Sequence, residues 1–247
     1  MISDYNKYQL SWKENIKYSL QGTAVAIILG TLFYRSILGF LMLSPLVYFY
    51  RRSRVRGLIN DRKWKLNLEF RDGMVALSAA LQAGYSAENA FEEVCKDLRQ
   101  IYLENSMVIR EFSYITNQIH MNITVEKALS DFGERTGIED ILSFSEVFNT
   151  AKRTGGDLIN VIKITCNIIS DKIEVKKEII TLITAKRLEA NIMKLTPLLI
   201  LIYLSVSSPG FLDPLYHNLL GIVTMTIFMA FYLGAFLIID KIIAIEV

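Results

Sequence analysis

The side chains able to do chemistry are few and scattered in this chain. Histidine occurs only at positions 120 and 217, and cysteine only at 95 and 166. A zinc or nucleophilic site needs several such groups at short spacing, and the topology argued below puts His120 and His217 on opposite sides of a membrane. The cysteines have neither CxxC spacing nor nearby histidines and read as reduced packing residues. The carboxylate pairs Glu92-Glu93 and Glu139-Asp140 read as helix-surface or first-turn residues, not as a general acid and base. There is no GxxxxGK[ST], GxGxxG, GxSxG or HExxH. The expectation is a non-enzyme without catalytic residues, metal or cofactor.

The stretch that asks for a role is Lys152-Arg153-Thr154-Gly155-Gly156-Asp157-Leu158. A double glycine stops one helix, and Asp157 is suited to cap the next. Capping accounts for Gly155, Gly156 and Asp157, whereas the side chains of Arg153 and Thr154 exceed what capping requires. The five residues are therefore open to two readings: a helix stop and start, or a partner-binding point or pivot.

The same grammar occurs twice upstream, in Gly84-Tyr85-Ser86-Ala87-Glu88-Asn89-Ala90-Phe91 and in Asn122-Ile123-Thr124-Val125-Glu126-Lys127-Ala128-Leu129. Gly84 and Asn122 tolerate the left-handed conformation that ends a helix, and Ser86 and Thr124 can cap the next one. A small or β-branched residue and a larger one follow four and five positions after each cap, placed to anchor the new helix. These four positions are structural junction residues. Helix-spaced stripes accompany them: Phe70, Met74, Leu77, Ser78 and Leu81; Phe91, Val94, Cys95, Leu98 and Tyr102; Val108, Phe112, Ile115 and Ile119; Ile141, Phe144, Ser145 and Phe148. The expected fold class is all-α, a cytoplasmic antiparallel helical bundle with two transmembrane helices N-terminal to it and two C-terminal. Only the third junction opens a helix free of glycine and proline from residue 157 to Pro197, about 60 Å of stalk at about 1.5 Å per residue. Its charged face reads as a solvated one.

The composition fits that division. Of 247 residues, 52% are apolar and 21% charged, too polar for a wholly membrane-embedded chain and too apolar for an ordinary soluble one. Residues 19–50 would make roughly 48 Å of helix against a hydrocarbon core of about 30 Å, and Arg35 divides them, so the expectation is a hairpin of two short spans. Lysines precede it, and Arg51, Arg52, Arg54, Arg56, Arg62, Lys63 and Lys65 follow with Asp61 as the single acid. By the positive-inside rule both flanks lie in the cytoplasm. Anionic lipid headgroups account for the basic strip, so no nucleic acid is expected. Residues 195–239 supply two further spans around a connector, 207–218, whose only charge is Asp213. The expected map is an N-terminal segment at 1–18, a transmembrane hairpin at 19–50, a basic juxtamembrane segment at 51–65, a helical domain at 66–194, two spans within 195–239, and a tail at 240–247. Both termini face the cytoplasm.

Arg153-Thr154-Gly155-Gly156-Asp157-Leu158 resembles the arginine-threonine-glycine-glycine junction of the type II secretion system F-domain family. The resemblance covers roughly residues 66–205. Leu81-Gln82-Ala83-Gly84-Tyr85-Ser86-Ala87-Glu88-Asn89-Ala90-Phe91 is similar to the family's first junction, and Phe132-Gly133-Glu134-Arg135-Thr136-Gly137 adds to it. Pro209-Gly210-Phe211-Leu212-Asp213-Pro214-Leu215, Gly221 and Lys241-Ile242-Ile243-Ala244-Ile245-Glu246-Val247 resemble the TadB branch of tight-adherence (Flp, type IV) pilus systems. The resemblance implies an assembly platform in the bacterial cytoplasmic membrane. Its implied partners are a hexameric secretion ATPase, a second F-domain platform protein of the TadC type, pilin subunits and further copies in a homo- or hetero-oligomer. The chain departs from the family in carrying one F-domain where some members carry two, and in lacking the arginine- and alanine-rich composition of many TadB relatives. A reading of another class is a membrane subunit of an ATP-driven solute transporter, against which stands the lack of buried carboxylates or histidines in the spans.

Overall fold

The computed structural model describes residues 4–8, 10–35, 37–154, 157–208, 210–216 and 218–243. Among them the chain is all-α, without strands, in the order α1 (Trp12–Tyr34), α2 (Ile37–Gln82), α3 (Ala87–Ile101), α4 (Met107–His120), α5 (Val125–Thr136), α6 (Glu139–Thr154), α7 (Leu158–Ser207), α8 (Asp213–Tyr216) and α9 (Leu219–Ile243). It divides into two compact units, the first of Met1–Gln9 with Arg56–Val175, the second of Leu10–Val55 with Lys176–Val247.

The first unit is organised by phenylalanine. Phe70, Phe91, Phe112 and Phe132 come one each from α2, α3, α4 and α5, and Phe144 and Phe148 from α6; all are buried. Phe70 meets Phe144 edge-on at 5.9 Å and Phe132 edge-on at 6.0 Å, the arrangement aromatic quadrupoles favour. A methyl group on Gly73 would meet the Phe112 ring at 2.6 Å, so glycine is what lets α4 approach α2 here. The four expected stripes face this core, with Tyr102 and Ile119 only partly buried at its edge. On α7 Ile162, Ile169 and Ile173 are buried, whereas Ile168 and Ile180 are exposed. The compact unit closes after Val175 and begins at Arg56, earlier at both ends than 66–194, and it takes in residues 4–8.

The repeated junctions share one geometry. Gly84 and Asn122 adopt φ of 92° and 63°. The next amide reaches back five residues in each case, Tyr85 N to Ala80 O at 3.2 Å and Ile123 N to Gln118 O at 3.0 Å, the bond that closes a Schellman turn. The Ser86 side chain accepts from Asn89 N, while Thr124 caps α5 without a side-chain bond of that kind. In the third junction Asp157 Oδ1 accepts from Asn160 N at 3.1 Å; Gly155 and Gly156 lie outside the described residues. The anchors Ala90, Phe91, Ala128, Leu129 and Ile162 are buried. Two further turns follow other rules: Ser106 caps α4, and Gly137, with φ of 56°, ends α5.

In the second unit Ala26, Leu29, Phe33, Leu43, Met225 and Met229 form a separate core from α1, α2 and α9. Among the described residues three helices are long and apolar enough to cross a membrane: Trp12–Tyr34, a window within Leu158–Ser207, and Leu220–Ile242. The chain is thus a membrane protein. Lys13 and Lys17 are already helical, so α1 starts seven residues before the expected span at 19. Residues 37–50 form the beginning of α2, and a methyl group on Gly22 would meet Val47 Cγ1 at 3.1 Å, so α1 and α2 touch at Gly22. Pro197 does not break α7, which continues to Ser207; an apolar helix tolerates the missing amide donor when local adjustments satisfy the freed carbonyl.

Candidate interaction site where three helix ends converge

All three junctions meet at Lys152. Glu88 is the second residue of α3, Glu126 the second of α5, and Lys152 lies in the last turn of α6. Lys152 Nζ stands 3.0 Å from Glu126 Oε1 and 3.6 Å from Glu88 Oε1. Each charge also suits its own helix, carboxylates at N-terminal ends and an ammonium at a C-terminal one. Partial burial pushes the Glu126 carboxyl up, but its backbone bond, Lys152 and Thr124 outweigh this and hold it below the usual carboxylate range.

The rest of the motif presents itself differently. Arg153 is exposed, and among the described residues nothing accepts from its guanidinium. Thr154 turns its hydroxyl back to the carbonyls of Thr150 and Ala151 at 3.0 and 3.3 Å, so it caps its own helix end. Beside them an open groove of about 390 Å³ is lined by Glu146, Val147, Thr150, Ala151, Thr154 and Val161. It is open, mostly apolar and suited to a side chain or helix edge of another protein, not to enclosing a small substrate.

The other chemical candidates are absorbed into packing. Glu139 and Asp140 share Lys172 Nζ at 3.4 and 2.7 Å, and Asp140 also accepts from Asn67 at 2.7 Å. Glu93 pairs with Lys96, and exposed His120 stands 3.9 Å from Glu92. His217 lies outside the described residues. Among the described residues no group of three metal-ligating side chains comes together. Cys95 contacts the Thr116 hydroxyl at 3.5 Å, and burial raises its thiol above the ordinary value.

Sequence reasoning missed a second cluster. Tyr5 is buried, and its hydroxyl donates to Glu111 Oε1 at 2.8 Å. Arg135 Nη2 donates to the other oxygen, Glu111 Oε2, at 2.8 Å, while Arg135 Nε holds Asp131. The Tyr5 amide donates to Arg135 O, the Arg62 guanidinium lies 4.4 Å from the Tyr5 ring centre, and Lys63 donates to Asn6 and to Gly137 O. Residues 4–8 thus strap the first unit. Arg135 and Gly137 of the Phe132–Gly137 motif are the groups that receive the strap, and no local pattern in the first eight residues announces it.

No family model, curated protein or solved structure matches this chain.

Proposed function

We propose that this chain is the inner-membrane assembly platform of a Tad-type (type IV) pilus or type II secretion machine, a TadB-like member of the F-domain family. In this reading it couples a cytosolic hexameric ATPase to the extraction of pilin from the bilayer and to filament assembly. The observation that carries it is the joining of all three repeated junctions by Lys152 at the point where α7 begins. A load applied at that end is shared by α3, α5 and α6 and enters α7 at its first turn, and α7 continues without interruption to Ser207. Arg153 and the neighbouring groove offer the contact surface. A second platform protein, pilin and further copies of the chain are the remaining partners.

The proposed topology is multi-pass in the bacterial cytoplasmic membrane, with four spans, both termini cytoplasmic and an antiparallel helical bundle between the two hairpins. The touch of Gly22 on Val47 on either side of Arg35 supports the first hairpin, and the pairing of Arg35 with Asp213 supports both connectors facing the same side. The test is co-purification of the full chain from its native membrane. Recovery of a secretion ATPase together with pilin is the expected result. Recovery of a solute-binding protein and solute-stimulated ATP hydrolysis instead would overturn it in favour of a transporter subunit.

A further inference from the structure

The basic strip of α2 is not uniform. Arg62 stacks on Tyr5, Lys63 holds Asn6 and Gly137 O, and Lys65 reaches Glu69; these cations serve the fold of the first unit. Arg51, Arg52 and Arg54, in the second unit, are exposed, and among the described residues no carboxylate lies within ion-pair distance of any of them. There is no Asp or Glu anywhere from residue 36 to residue 60. From these observations we infer that Arg51, Arg52 and Arg54 form a collar that binds the phosphates of anionic phospholipid headgroups.

Placement, side-chain chemistry and charge balance all favour this partner. The three arginines follow directly on the apolar residues 37–50, where long basic side chains lay their stems along the hydrocarbon edge and their charge among headgroups. At about 100° per residue, positions 51, 52 and 54 point in three directions around α2, which suits several separate headgroups better than one enclosed anion. Arg54 is already oriented: Nε and Nη2 donate to the Tyr50 hydroxyl at 3.2 and 3.1 Å, and its guanidinium lies 5.2 Å from the Tyr50 ring centre. A guanidinium fork matches phosphate oxygens in pairs, which an ammonium cannot do. Elsewhere in this unit Asp213 neutralises Arg35 and Asp240 neutralises Lys194. The arginine collar sets three cations within four residues with no acid beside them. The inference rests on the proposed span 37–50 of the four-span topology and does not depend on a role in filament assembly.

The full chain, purified in a neutral detergent, is titrated at low ionic strength with fluorescent phosphatidylglycerol and with phosphatidylcholine. A basic side chain at an anionic surface strengthens attraction about fivefold, so the expected preference for phosphatidylglycerol is on the order of 100-fold, falling as salt is added. The triple variant R51Q/R52Q/R54Q should lose most of that preference. R51K/R52K/R54K should keep part of it, because the charge remains while the fork is gone, and this variant also serves if the glutamine triple fails to fold. Equal affinity for the two lipids, or an undiminished preference in a folded glutamine triple, overturns the inference. So does displacement of the lipid by inorganic phosphate at equal concentration, which would reassign the site to a free anion, and so does tighter capture of a short RNA.

Discussion

Arg35 donates to Asp213 across 2.9 Å, joining two residues 178 positions apart. Arg35 holds the left-handed position, φ 46°, that ends α1, and Asp213 opens the short α8 between α7 and α9. One is the charge that divides the first hydrophobic run, the other the only charge in the second connector. About half of each side chain is in solvent, so the pair contributes at most about 1 kcal/mol. Its value lies in the address it gives, since both connectors must lie at one end of the second unit.

Topology labelling tests that address. Arg35→Cys and Asp213→Cys, each made singly, are expected to react with a membrane-impermeant maleimide added to intact cells. Lys186→Cys should react only after permeabilisation. If Arg35→Cys is protected while Asp213→Cys reacts, the two connectors do not share a side and the four-span topology fails.

The strap makes a stability prediction. Tyr5→Phe keeps the buried ring and removes one bond to a charged acceptor, a loss of about 1.5–3 kcal/mol. Glu111→Ala leaves the largely buried Arg135 guanidinium with Asp131 as its one remaining carboxylate, and about 3 kcal/mol is expected, the low end for breaking a buried pair from one side, since Asp131 still offsets part of the charge. Chemical denaturation of the detergent-solubilised chain, followed by helix signal, measures both. A Glu111→Ala loss no larger than that of Tyr5→Phe would show that the pair is solvated and that Arg135 needs no partner.

At the junction cluster, neighbouring residues should behave oppositely. Lys152→Ala removes the cation shared by two carboxylates at a partly exposed position, so stability should fall by about 0.5–1 kcal/mol. Arg153→Ala touches no described partner, and stability should stay within about 0.5 kcal/mol of wild type. Filament assembly should nevertheless drop sharply with Arg153→Ala at unchanged membrane abundance. Normal assembly and normal abundance together remove the contact role from Arg153.

Local rules and long-range geometry were unequally legible in the sequence. Gly84 and Asn122 could be read because the left-handed conformation and the following cap are decisions of five or six consecutive residues. The phenylalanine stripes could be read because a helix repeats every 3.6 residues and each stripe must face a core. The meeting of Glu88, Glu126 and Lys152 could not, because it depends on how three junctions are brought together through the packing of α3, α5 and α6. Tyr5 was hidden for the same reason: its partners Glu111 and Arg135 lie more than a hundred residues away and mark no periodic pattern. Gly137 stands in the sequence only as part of a motif, although its positive φ makes it another left-handed helix end, closed by a bond from its own amide to Gly133 O and not by the five-residue bond that follows Gly84.

Alkaline and acidic limits follow from shifts of opposite direction, upward in Tyr5 and Tyr102 and downward in Glu126. Burial, then the Glu111 charge and its hydrogen bond, push the Tyr5 phenol above its ordinary value of 10.0, only partly offset by Arg62 and Arg110. Burial and Asp72 do the same to Tyr102. A raised value means that the folded chain keeps protons the unfolded chain gives up, so the stabilisation is fully present below pH 10 and is lost progressively above it. Glu126 is shifted the other way, so its contribution is present above its ordinary value of 4.5 and is lost as pH falls below that. The thermal midpoint should therefore be flat between about pH 5 and 10 as far as these groups are concerned, and should decline on either side. Tyr5→Phe removes one source of the alkaline decline, so its curve should run below wild type near neutrality and converge with it above pH 10. Lys152→Met removes a cation that holds Glu126 down and should flatten the acid limb alone. A Tyr5→Phe curve that stays parallel to wild type through the alkaline range would show that the phenol keeps its ordinary value and that the strap is solvated.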